Sequence, residues 1–158
     1  MIILGIDPGT ATTGIGIIKS EKSNIDLIHY DCILTSPKES TAQRLKTLYT
    51  ELEKIIKKYK PDMMAVEDIF FFKNLKTAIK VSQARGVILL AGAQNKLTIC
   101  EYTPLQIKQA VSGYGRAEKL QVQKMVKIIL KLREIPKPDD AADALAVAIC
   151  CANSNHRL

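Results

Sequence analysis

The 158-residue chain has no uninterrupted apolar run long enough to cross a bilayer, which excludes a helical membrane span. No Cys-x-x-Cys occurs, so Cys32, Cys100, Cys150 and Cys151 lack the paired spacing of a zinc site. Cys150 and Cys151 are neighbours on an expected helix and point in different directions. All four cysteines read as reduced thiols in or near the core, consistent with the cytoplasm. The N-terminus has neither a basic n-region nor a cleavage site and reads as a first strand. Internal repeats and inter-domain linkers are also missing, so residues 1–158 are expected to form one domain with a sizeable core. Tryptophan is absent, and all the phenylalanines lie at 70–72. Acidic residues are outnumbered, 16 against 23 Lys and Arg, leaving a net charge of +7. A basic surface suits a polyanion such as nucleic acid, with plain solubility as the alternative.

Against that deficit of acid, four carboxylates stand where apolar patterning should exclude them. Asp7 ends Met1-Ile-Ile-Leu-Gly-Ile-Asp7, and Glu67 interrupts Met63-Met-Ala-Val-Glu67. Asp140 and Asp143 punctuate the Ala-rich segment 139–149. A lone buried carboxylate costs several kcal/mol unless its charge is compensated, so these groups are expected to meet around a shared cation. Strand alternation puts Asp7 on one face with Gly5 and Ile3, and Glu67 with Ala65. These small neighbours leave room for an ion or a backbone to approach. Asp140 and Asp143 share one side of a helix near its positive N-terminus. Oxygen donors without His or Cys favour magnesium, or manganese, over zinc. Two such ions ~3.5–4 Å apart activate a water and stabilise the leaving oxygen in phosphodiester cleavage. Ordinary roles compete: Asp139 or Asp140 as a helix cap, Asp7 as a turn residue, Glu67 as a lysine partner. Asp139 is read as the cap, and Asp68 as facing away from Glu67.

Strands are expected at 2–7, 14–19 and 25–34 as an antiparallel meander, then at 63–70 and 97–102. Helical spacing predicts helices over 41–59, 74–95, 118–133 and 139–152. Thr103-Pro-Leu-Gln106 reads as a capping box with proline at the first helical position, and that helix stops at Ser112-Gly-Tyr-Gly115. A meander followed by alternating helices and strands implies an α/β mixed sheet with helices on both faces.

With these residues placed, the chain resembles the bacterial RuvC family of Holliday-junction resolvases, in the ribonuclease H-like superfamily. The matching segments are Ile3-Leu-Gly-Ile-Asp-Pro-Gly9, Val66-Glu-Asp-Ile-Phe70, Ser82-Gln-Ala-Arg-Gly86, Gln106-Ile-Lys-Gln109, Ala117-Glu-Lys119 and Asp140-Ala-Ala-Asp-Ala-Leu-Ala146. Their order and spacing cover nearly the whole chain. The resemblance implies a five-stranded sheet and metal-binding acids at Asp7, Glu67, Asp140 and Asp143. It also implies a homodimer that nicks two opposed strands of a four-way DNA junction in recombination and repair. A branch-migration motor works beside the family. The helix around Gln83-Ala-Arg-Gly86 is a candidate dimer contact, or ordinary core.

Lys108 and Lys119 match family lysines near the acids, where they would bind phosphate or stabilise developing charge; otherwise they are solvated helix lysines. Phe70 matches a family aromatic that stacks on bases, with Lys73 close behind. Lys76, Lys80, Arg85 and Arg116 are candidate phosphate contacts. Three other readings compete. Asp7-Pro-Gly-Thr10 with Gly14-Ile-Gly16 also resembles the phosphate loop of the actin and sugar-kinase superfamily, although there is room for only one of its two lobes. The others are a related nuclease acting on structured RNA and a non-catalytic junction-binding module.

Overall fold

The computed structural model describes residues 1–22, 24–68 and 75–155. Strands β1 (Ile2–Asp7), β2 (Thr12–Glu21) and β3 (Asn24–Leu34) form the meander. Helix α1 (Thr41–Tyr59) leads to β4 (Met63–Glu67), and α2 (Leu75–Gln94) leads to β5 (Thr98–Tyr102). Helices α3 (Pro104–Ser112), α4 (Lys119–Ile129) and α5 (Asp139–Asn155) follow. The five strands lie in the order β3-β2-β1-β4-β5. The first three pair antiparallel, whereas β4 runs parallel to both β1 and β5. This is the mixed, ribonuclease H-like sheet that the resemblance implied.

Strand alternation divides the core in two. Leu4, Ile6, Ile15, Ile17, Met64 and Val66 face one side, where they pack with α1 and α2. Ile3, Ile18, Met63 and Ala65 face the other side, toward α3, α4 and α5. Helix α5 is rich in alanine because it lies with its backbone almost on the strands. A Cβ at Gly5 would collide with the Ala144 carbonyl, and one at Gly14 with the Asp140 carbonyl. The close seat leaves Leu145 and Ile149 fully buried. Each such side chain stabilises the fold by ~1.5–3 kcal/mol.

Several boundaries differ from expectation for local reasons. Helix α4 stops at Ile129 rather than 133, because the chain turns at Leu130 and Lys131 enters the left-handed region at φ 53°. Asp139 is not the cap of α5. It is the first helical residue, since the Pro138 carbonyl already accepts from Ala142 N–H at 3.3 Å. The Asp139 carboxylate instead accepts from Lys137 Nζ at 2.8 Å. Strand β2 runs two residues further at each end than 14–19, carried by its ladder to β3. The expected strand at 63–70 is observed through Glu67, and its last two residues fall outside the described ones. The capping box at Thr103 and Gln106 forms as read, with proline inside it.

Candidate active site

Strands β1 and β4 are parallel neighbours, so their C-terminal residues Asp7 and Glu67 finish at the same end of the sheet. Both project to the α5 face, as Gly5 and Ala65 do. Asp7 pairs across β1–β2 with Gly14, the glycine against which the Asp140 carbonyl rests. The first turn of α5 therefore lies beside the strand ends, and Asp143 follows one turn later on the same side.

The carboxyl groups of Asp7 and Glu67 are hydrogen-bonded to each other. Burial, then the charges of Glu67 and Asp143, with a smaller share from Asp140, push the Asp7 pKa up to about 8. Burial also raises Glu67, opposed by the hydrogen bond from Asp7 and by the charges of Lys108 and Lys119. In neutral solution Asp7 thus holds a proton that it donates to the Glu67 carboxylate. Asp143 is raised by burial too, although Lys119 Nζ sits 2.7 Å from its carboxylate and works against that shift. Burial disfavours the Lys119 ammonium, yet its hydrogen bond to Asp143 and the charges of Asp143, Asp139 and Asp140 hold its pKa above the ordinary lysine value. A cavity of about 210 Å³ opens beside these groups, lined by Glu67, Lys108, Lys119 and Asp143 among others.

Three of the four acids thus have a close partner, Asp7 and Glu67 each other and Asp143 the Lys119 ammonium. Among the described residues no three His, Cys, Asp or Glu side chains close into a ready-made metal cage. The donor set nevertheless suits a hard cation. It is all oxygen, it is partly buried, and three other carboxylates bear on Asp7.

The remaining candidates divide. Lys108 lines the cavity and acts on Glu67. Lys76, Lys80 and Arg116 are exposed on α2 and on the loop before α4. Phe70 and Lys73 lie outside the described residues. Arg85 is partly exposed and bridges Asp68 at 3.0 Å and Glu101. Asp68, just past the end of β4, faces away from Glu67 as expected, its carboxylate meeting Arg85 of α2 on the other side of the sheet from α5.

Two supporting groups escaped the sequence reading. Arg44, reaching from α1, donates through Nε to Thr35 Oγ1 at 2.9 Å and through a terminal nitrogen to the Thr10 carbonyl at 2.5 Å. It thereby pins the turn that follows Asp7. The other is the Asp68–Arg85–Glu101 bridge. No local pattern marks either one, because each joins elements far apart in sequence. All four cysteines are free thiols, with Cys150 and Cys151 buried.

A family model described as crossover junction endodeoxyribonuclease RuvC matches residues 3–151. Curated relatives of that name include one from Halothermothrix orenii, 59% identical over 154 residues, covering 98% of this chain and 93% of the relative. Another, from Fusobacterium nucleatum, is 57% identical over 154 residues, covering 98% of this chain and 81% of the relative. Among solved structures, T. thermophilus RuvC in complex with Holliday junction substrate matches with a TM-score of 0.94 at 34% identity, covering 99% of this chain and 96% of that one. The yeast mitochondrial Holliday junction resolvase Ydc2 has a TM-score of 0.70 at 12% identity, covers 96% of this chain and 77% of that one, and shares the fold. The chain belongs to the RuvC family of crossover junction endodeoxyribonucleases.

Proposed function

We propose that this chain is a metal-dependent endonuclease that resolves four-way (Holliday) DNA junctions by paired nicks in opposed strands, serving homologous recombination and DNA repair. The observation that carries the reading is the pressure of Glu67, Asp143 and Asp140 on Asp7 at one sheet end, in a chain of this family. Residues 1–158 act as a single nuclease domain. Asp7, Glu67, Asp140 and Asp143 are the metal-binding acids, for Mg2+ with Mn2+ as a substitute and two ions per site. Bound there, the ions neutralise the acids, activate a water and stabilise the leaving oxygen.

The rest is the work of the chain's own groups. To hold an ion there, Asp7 would have to give up its proton and Asp143 its contact with Lys119. Lys119 and Lys108 then face the same cavity as cations available to the scissile phosphate. Lys73, Lys76, Lys80 and Arg116 supply DNA contacts, and Phe70 is the aromatic that stacks on a base at the junction centre, an interaction that stabilises by ~1–3 kcal/mol. Two equivalent cuts need two equivalent sites, which a twofold homodimer provides. The exposed side of α2 suits that contact. Ile79 and Leu90 are half exposed there, at 52% each, and Gly86 has no atom within 4 Å of where its Cβ would lie. The protein works in the cytoplasm, and a branch-migration motor joins it on the junction. No helix among the described residues is long and apolar enough to cross a membrane.

Glu67→Gln tests the assignment, because it removes one ligand charge without removing a DNA contact. Gel-shift affinity for a four-way junction in EDTA is expected to stay near wild type while cleavage in Mg2+ is lost. Cleavage at the wild-type rate would refute the catalytic assignment.

A further inference from the structure

Glu67 is held unequally on its two sides. Toward β5 its strand continues in register, with Glu67 opposite Tyr102 and the next amide, Asp68 N–H, donating to the Tyr102 carbonyl at 2.8 Å. Toward β1 the parallel ladder runs only from Ile3 opposite Met63 to Ile6 opposite Val66, so Glu67 lies beyond its last pair. On the opposite face of the sheet, one residue along, the Asp68 carboxylate is gripped by Arg85. The same guanidinium grips Glu101, which sits opposite Val66 on β5. Arg85 belongs to the middle of α2, between the buried Ala84 and Ile88, so its base is fixed in the core. Its Nε is buried without a hydrogen-bond partner, which is costly and marks a side chain held in place by its two acids.

We propose that Arg85 is a positioning residue for Glu67. The bridge from α2 to Asp68 and Glu101 clamps the end of β4 against β5 from behind, and the clamp sets where the Glu67 carboxylate stands relative to Asp7. The inference rests on the reading of Glu67 as a metal-binding acid. Planarity and the two-pronged fork of arginine suit this task, because one rigid group must hold two carboxylates from different strands at once. Lysine keeps the charge and loses the fork.

The test uses the full chain with Arg85→Gln, Arg85→Lys, Asp68→Asn and Glu67→Gln. Three quantities are read: Mn2+ binding followed by electron paramagnetic resonance, junction affinity in EDTA, and the Mg2+ dependence of single-turnover cleavage. Arg85→Gln is expected to need about tenfold or more Mn2+ for half-saturation, as supporting partners of metal ligands generally do, and proportionately more Mg2+ for cleavage. Junction affinity in EDTA is expected to stay at the wild-type value. Arg85→Lys should fall between wild type and Arg85→Gln. Asp68→Asn, which leaves Arg85 its Glu101 partner, should give a smaller shift in the same direction, so the answer survives even if Arg85→Gln folds poorly. Wild-type Mn2+ binding in both Arg85→Gln and Asp68→Asn, with Glu67→Gln inactive, overturns the proposal. Weakened junction binding in EDTA with unchanged Mn2+ affinity also overturns it, by making Arg85 a DNA contact. If Glu67→Gln itself binds Mn2+ and cleaves normally, the reading of the site fails first and takes this inference with it.

Discussion

Replacing Asp7 by asparagine removes one charge from the middle of the acid group while keeping the side-chain shape and a donor for Glu67. The folded chain holds the Asp7 carboxyl near pKa 8, against 3.8 for the free group. Between about pH 4 and pH 8 the folded protein therefore keeps a proton that the unfolded chain has released. Stability must fall as pH rises through that window, and the loss is complete above it. At ~1.4 kcal/mol per pKa unit the ceiling is about 6 kcal/mol, which local rearrangement lowers. If a third of it survives, at roughly 2–4 °C per kcal/mol for a chain of this size, Asp7→Asn melts about 4–8 °C above wild type at pH 8.5 in EDTA. The gap should close toward pH 4. Circular-dichroism melts from pH 4 to pH 9 with chelator present measure this directly. Saturating Mg2+ should reverse the order, because only the wild type gains from binding the ion. A variant that melts at or below wild type in EDTA, by the same margin at every pH, refutes the reasoning.

Other parts of the site answer to single substitutions. Lys119→Ala leaves Asp143 without its cation and takes a positive group from the cavity; single-turnover cleavage is expected to slow about 10²–10³-fold with junction affinity little changed. Gly14→Val drives a side chain into the Asp140 carbonyl and lifts α5 from the sheet. A loss of at least ~1–3 kcal/mol in urea unfolding is expected, with cleavage lost at temperatures where the variant is still folded.

The acid group was legible because each carboxylate interrupts a run whose period is otherwise apolar. Asp7 and Glu67 end buried strands, and Asp140 and Asp143 share a helix side by their spacing alone. The same local signals marked α1, whose observed limits are those its apolar spacing predicts, and the capping box that opens α3. What stayed hidden depends on partners distant in sequence. The spacing around Arg85 could not say that two carboxylates from two strands would claim it. Arg44 was silent for the same reason. The end of α4 was missed because its left-handed turn falls on Lys131 rather than on a glycine. The close approach of α5 was only half visible. Gly5 on β1 and Ala65 on β4 signalled room, and at Gly5 the structure fills it with helix backbone.

The most direct measurement is cleavage of a synthetic four-way junction with each strand end-labelled in turn, with and without Mg2+. Metal held by the converging acids should give two cuts at matching positions in opposed strands, seen only with Mg2+ and absent in Glu67→Gln. Equal cutting in EDTA, or unaltered cutting by Glu67→Gln, would contradict the claim that these carboxylates hold the ions that break the strand.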